Sequence, residues 1–253
     1  MTILSIYEKP AVLDRVRHRN YRLNRSPSGL KFAAKSVALP VAPIEFAYAA
    51  LEFPIVFAIN NDGTGTPIGL FGVRENENLM IDDKGDWLGY YVPGFIRRYP
   101  FVLNIEGEDK TPFVLFDEAF DGFGENVEGD RLFNEDGSET ELMKSTLAFL
   151  SEFSAQSETA TQFVATLKKH DLLVPQQVVF NRGKDESYTL DGFQIVDEKR
   201  LQALPDAAIL ELARSGDLAR IYTHLLSLAN IHRITQKMQA AVAATAAAAA
   251  AKA

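Results

Sequence analysis

Residues 53–73 read FPIVFAINNDGTGTPIGLFGV, and whether this stretch is sheet or helix decides the kind of fold the chain adopts. The runs FPIVFAI at 53–59 and IGLFGV at 68–73 are apolar and β-prone. NNDGTGTP joins them, and its Asn, Asp and Gly residues are strong turn formers. The stretch therefore predicts a β-hairpin.

Working outward, PIEFAYAALEF at 43–53 predicts a short helix with proline in its first turn, ending before Pro54. Upstream, KFAAKSVA from Lys31 predicts a strand. The arginine-rich segment 14–25, DRVRHRNYRLNR, predicts an extended or edge element before the turn signal SPSG at 26–29. Downstream, NLMI at 78–81 predicts a short strand that leads into the turn DDKGD. FVLNIE at 101–106 and PFVLF at 112–116 predict a second hairpin around the polar connection GEDKT. The first half is thus expected to be mainly antiparallel sheet.

Residues 116–141 are rich in carboxylates, with Arg131 the one positive charge, and predict a long acidic loop. Helical spacing returns over 141–170 through Leu142, Leu147, Leu150, Phe153, Phe163 and Leu167. It predicts one helix, or two broken near 155–159. LLVPQQVVF and SYTLDGFQIV, separated by NRGKDE, predict a third hairpin. A helix is expected over 204–212, a break at Ser215 and Gly216, and a long helix from Asp217 onward. The order predicts an α+β fold, antiparallel sheet in the N-terminal half packed with C-terminal helices. Residues 1–238 are expected to form one such domain and 239–253 an alanine-rich helical tail.

Charge and composition exclude several classes of function. Lys and Arg number 26 against 34 Asp and Glu, so the net charge of −8 opposes a nucleic-acid backbone. The chain has no cysteine, which removes disulfides, thiolate metal sites and a cysteine nucleophile. No secretory leader is legible and no stretch approaches the ~18 apolar residues of a membrane span. A cytoplasmic location without membrane insertion is therefore expected, with delivery to the cell surface by a route that needs no signal peptide as the alternative.

The motifs of catalysis are likewise missing. His18, His170, His224 and His232 lack metal-ligand spacing, and His224 and His232 lie eight apart, about 80° round a helix. Asp117, Asp121, Asp130 and Asp136 do not follow the alternation of a calcium loop. GTGTPIG and GLFGVRENEN lack the lysine-serine ending of a phosphate loop, and GxSxG does not occur. Neither a catalytic residue, a metal site nor a cofactor is expected.

One stretch remains with chemistry to offer, WLGYYVPGFIRRYPF at 87–101. Trp87, Tyr90 and Tyr91 present large faces with polar handles, and Pro93 and Pro100 bracket a short helix. Phe95, Ile96 and Tyr99 would dock it on the sheet, while Arg97 and Arg98 can stack on a ring or clamp a carboxylate. The binding reading makes Trp87, Tyr90, Tyr91, Arg97, Arg98 and Asp117 a recognition patch for an aromatic or anionic group such as a peptide carboxylate. The architectural reading puts Trp87 and Phe101 in the core, with an arginine tying the acidic stretch to the body through Asp117 or Glu118.

Beyond these patterns, four stretches resemble the bacterial SapC family. They are PIEFAYAALEFPIVF at 43–57, NLMIDDKGDWLGYYVPGFIRRYPF at 78–101, GDRLFNEDGSET at 129–140, and LDGFQIVDEKRLQALPDAAILELARSGDLARIYTHLLSLANI at 190–231. The resemblance carries over no catalytic residue. It implies a link to the bacterial cell envelope, since the family takes its name from a surface-layer locus and similar proteins are encoded near TonB-dependent receptors and flavin halogenase-like genes. The expectation is a soluble, non-catalytic binding or accessory protein of such a system, with a protein or peptide partner. The alternatives are an enzyme or enzyme subunit acting on a protein or small metabolite, and a surface-layer assembly component.

Overall fold

A computed structural model describes residues 5–25, 29–104, 112–182 and 186–250 of the 253-residue chain. The GEDKT connection, most of the SPSG turn and the centre of the NRGKDE turn lie outside the described residues. The fold is α+β, with antiparallel sheet concentrated in the N-terminal half and helices in the C-terminal half.

The N-terminal half runs β1 (Pro10–Val12), β2 (Arg22–Leu23), β3 (Ala38–Pro40), α1 (Phe46–Ala49), β4 (Ile55–Ile59), β5 (Gly65–Leu70), α2 (Gly94–Arg97), β6 (Phe101–Asn104), β7 (Phe113–Asp117), β8 (Phe123–Gly124) and β9 (Asp130–Arg131). The C-terminal half runs α3 (Glu141–Lys169), β10 (Leu173–Arg182), β11 (Glu186–Val196), α4 (Glu198–Gln202), α5 (Asp206–Ser215), α6 (Asp217–Ser227) and α7 (Asn230–Ala250). The strands form a five-stranded sheet ordered β10-β11-β4-β5-β3, a three-stranded sheet β1-β7-β6 and a small ribbon β8-β2-β9.

The hairpin of residues 53–73 forms as expected, its second strand starting at Gly65 rather than Ile68. It stands at the centre of the large sheet and is buried on both faces. Ile55 and Phe57 point into one cluster with Phe53, Phe71 and Phe163, whereas Val56, Ile68 and Leu70 point into a second with Phe180, Phe193, Ile234 and Met238. The two-residue period of a strand produces this division. Helix α3 covers the first face, where Phe57 meets Phe163 edge-on at 6.0 Å. A Cβ at Gly65 would stand 2.5 Å from Val164 Cγ1, so glycine is what lets the helix approach β5 this closely.

α3 is a single helix. Thr140 caps its first turn by accepting from the Met143 amide, and Lys168 and Lys169 complement the dipole at its end. The polar run at 155–159 does not break it; Ser157 and Thr159 donate their hydroxyls to carbonyls four residues back, bonds that a continuing helix accommodates. α3 packs on both β5 and β6 and so ties the large sheet to the three-stranded one.

Four expectations need correction. Residues 31–33 of KFAAKSVA form a 3-10 turn, and only Ala38–Pro40 pairs with β5. The Asn78 amide holds the turn by donating to the Ala33 carbonyl. NLMI forms no strand; Ile81 makes one bridge to Trp87 across the DDKGD turn. The acidic stretch is no open loop, since β8 and β9 flank β2 and Phe120, Phe123, Leu132 and Phe133 are buried. Its turn residues and carboxylates mask the apolar anchors between them. Finally, the helix expected from Asp217 stops at Ser227 and restarts at Asn230. His224 and Ser227 must hold β4 on one face of the large sheet while Ile234 and Met238 cover the other, which one straight helix does not achieve.

Candidate functional site

The short helical segment 43–52 carries two buried carboxylates, and both are spent on ordering residues 89–94. Glu45 closes its own first turn, its Oε2 accepting from the Ala42 amide at 2.9 Å. Its Oε1 accepts from the Tyr91 hydroxyl and the Gly94 amide, each at 2.6 Å. Glu52 Oε1 accepts from the amides of Tyr90 and Tyr91 at 2.6 and 2.9 Å. Charge-assisted bonds of this kind are the strong ones, and here they fix an irregular segment that has no ladder to hold it. A Cβ at Gly89 would fall 1.9 Å from Glu52 Oε2, so glycine is required where the loop crosses the carboxylate.

The loop so held presents Tyr91 and Arg97 to α3. Pro93 starts the one-turn helix α2, and Phe95 and Ile96 anchor it in the core. Arg97 is left half-exposed, with Nε donating to the Val92 carbonyl at 2.9 Å and Nη2 to the Tyr91 hydroxyl at 3.3 Å. Its guanidinium lies 5.2 Å from the Phe149 ring centroid and 5.6 Å from that of Tyr91, and 3.9 Å from Glu45. Tyr48 stacks on Tyr91, ring centroids 5.3 Å apart.

These groups line an open cleft of about 320 Å³, at the small end of the ~300–1,000 Å³ typical of ligand pockets. One side is Ile44, Glu45 and Tyr48, the second Tyr91, Gly94 and Arg97, and the third Phe149, Glu152, Phe153 and Gln156 of α3. Burial raises the Tyr91 pKa well above the ordinary phenol range, and the bond to Glu45 raises it further. The hydroxyl therefore keeps its proton and acts as a fixed donor to the carboxylate. Behind Phe153 a second hollow of about 190 Å³ is lined by Arg98, Phe95, Ser157 and Thr161.

The six residues singled out in the sequence do not come together in one place. Tyr91 and Arg97 meet in the cleft. Tyr90 is fully exposed beside it, and Trp87 packs edge-on against Phe53 and Phe71 in the core. Trp87 Nε1 and Glu52 Oε2 are buried without a hydrogen-bond partner among the described residues. Arg98 is buried with its guanidinium 3.9 Å over Phe95; burial lowers its pKa, and Tyr7 opposes that shift.

Asp117 is fully buried away from the cleft. It accepts from the amides of Glu8, Lys9 and Ala119 and from the Tyr99 hydroxyl. The acidic stretch is thus tied to the N-terminal segment, with Glu118 paired to Lys9 at 3.1 Å, rather than to Arg97.

The sequence reading missed Glu45, Glu52, Tyr48, Phe149 and Phe153 as parts of this site. A signal for Glu45 existed in the Pro43-Ile44-Glu45 spacing at a helix start, and Phe149 and Phe153 stand four apart on α3. Nothing local marks Glu52. Among the described residues no group of three or more His, Asp or Glu side chains is placed to hold a metal ion, and no helix is long and apolar enough to cross a membrane.

No curated protein and no solved structure matches the chain. The model of the SapC family matches residues 13–234, a span that includes β2 through β11, every residue lining the cleft and α7 as far as Ile234. The chain belongs to the SapC family.

Proposed function

We propose that this chain is a soluble, non-catalytic binding protein that docks a protein or peptide partner on the face around the Tyr91–Arg97 cleft. One observation carries the reading. Ile44, Tyr48 and Leu51 project from the 43–52 segment, with Tyr48 61% and Leu51 71% exposed, and Leu88 and Tyr90 project from the loop that Glu52 holds. Ile44, Tyr48 and Leu51 stand at helical steps and so share one exposed face, an apolar grouping that marks an interaction surface, and Ile44 and Tyr48 also line the cleft that offers a guanidinium. Membership of the SapC family supports placing the partner in a bacterial cell-envelope, surface-layer or TonB-dependent uptake system, with the protein acting from the cytoplasm.

The test is capture of the partner from extracts of the native host on immobilised protein. Tyr48→Ala and Leu51→Asp change exposed side chains and leave the fold intact, and each is expected to reduce capture about tenfold or more. Val179→Asp, on the exposed side of β10, is the matched control and retains capture. Equal capture by all three variants overturns the reading.

A further inference from the structure

We propose that the cleft receives the C-terminal residue of the partner polypeptide, its carboxylate on Arg97 and its apolar side chain between Ile44, Phe149 and Phe153. This deepens the docking reading above and rests on it.

The geometry of Arg97 is the first ground. A guanidinium has five N–H donors in a planar fork, and two of them are taken by the Val92 carbonyl and the Tyr91 hydroxyl. Those two bonds, with the rings of Tyr91 and Phe149 alongside, fix the plane before any ligand arrives. Glu45, the nearest carboxylate, does not use up the rest. Its Oε1 already accepts two short bonds and stands 3.9 Å from Nη2, beyond hydrogen-bond range. Among the described residues no acceptor takes the other three donors of this pre-oriented fork, the arrangement that matches a planar carboxylate.

Charge selects the kind of anion. Among the described residues Arg97 is the one cation lining the cleft, and Glu45 and Glu152 line it too. One guanidinium against two carboxylates leaves the lining net negative, so a group carrying close to two negative charges, such as a phosphate, is opposed about twice as strongly as a single carboxylate, which the direct contact with the guanidinium must hold. The apolar walls ask for an apolar side chain next to that carboxylate. Glu152 and Gln156 at the α3 edge are acceptors for the amide N–H groups of a chain leading away.

A terminal residue of a polypeptide fits better than a free acid because the cleft is not isolated. Tyr48 belongs both to its wall and to the exposed apolar face that continues to Leu51, so residues preceding the terminus have a surface to lie on. A small acid would leave that face uncovered.

The test uses a synthetic array of N-acetylated heptapeptides ending in Leu, Ile, Val, Phe or Met, each made as free carboxylate and as amide. N-acetyl-leucine and N-acetylphenylalanine serve as one-residue acids. A free-carboxylate peptide is expected to bind, its amide roughly 10- to 100-fold more weakly, as loss of a charge-assisted contact predicts. Arg97→Gln should cost the acid the same factor and cost the amide almost nothing, and Arg97→Lys should fall between. Thermal melts establish that both variants fold.

If amides bind as well as acids, or no free-carboxylate peptide binds, the carboxylate reading is overturned. Binding of the one-residue acids as tight as that of the peptides overturns the polypeptide source. Neither result touches the docking reading, which stands or falls separately on whether Tyr48→Ala and Leu51→Asp lose partner capture.

Discussion

Glu45 shows how one buried side chain can decide the shape of a site. Its carboxylate satisfies three donors, the Ala42 and Gly94 amides and the Tyr91 hydroxyl, and thereby joins the start of the 43–52 segment to the start of α2. Glu45→Ala strands all three donors in a poorly hydrated place. The expected loss of stability is on the order of 3 kcal/mol or more in urea unfolding. The same change removes a carboxylate that holds the proton on Tyr91, so the phenol titrates closer to its ordinary pKa of 10.0. Ultraviolet absorbance compared with Glu45→Ala/Tyr91→Phe isolates that group. No drop in its titration point would mean that burial alone sets it. At this scale Tyr91 and Arg97 were legible because aromatic and arginine residues in one stretch advertise themselves. Glu45 and Glu52 were not, because an acid beside apolar residues reads as a helix-surface charge until its distant amide partners are known.

Among the elements, α6 has the most specific attachment. Ser227 Oγ accepts from the Ile55 amide and His224 Nδ1 donates to the Ile55 carbonyl, so both backbone groups of that residue in β4 end on one helix. His224 Nε2 accepts from the Val196 amide of β11, which requires a neutral ring. Burial lowers its pKa to about 4, from 6.5, with the Ile55 carbonyl opposing. An unfolded chain therefore takes up this proton before the folded one does. The stabilisation is whole above pH 6.5 and is lost as the pH falls towards 4, by roughly 3 kcal/mol. Urea midpoints measured from pH 7 to pH 4 should show this slope, and His224→Leu should flatten it while lowering stability throughout. An unchanged slope would assign the acid sensitivity to other groups. Helix α7 closes the opposite face with Met238, fully buried, and Met238→Ala is expected to cost about 2–5 kcal/mol by the same assay. The elements were read well where one period dominated, as in the 53–73 hairpin and α3. They were misread where function in the fold cut across period: the 217–250 helical pattern continues through residues 228 and 229, yet the two halves serve opposite faces of a sheet.

For the molecule as a whole, the central hairpin supplies side chains to both apolar clusters, so the layers on either side of the large sheet cannot come apart independently. Trp87, the single tryptophan, packs with Phe53 and Phe71 in the first cluster. Its fluorescence and the far-ultraviolet circular dichroism should report one coincident urea transition; two separated transitions would show that the layers unfold apart. The α+β class was legible because three hairpins and a run of helices follow one another along the chain. How the cleft is assembled was not, since its walls come from residues 42–48, 91–97 and 149–156, and only packing brings them together.

Helix α3 spans about 43 Å at its ordinary rise, carrying Phe149 and Phe153 in the cleft and Phe163 and Leu167 in the core. Whatever settles in the cleft consequently braces the same rod that spans two sheets, and occupancy registers as heat tolerance. A ligand at 100 times its Kd adds about 2.7 kcal/mol, roughly 5–10 °C in melting temperature for a chain of this size. The protein is thus its own thermometer for its partner, and a melting screen needs no assay of what that partner does.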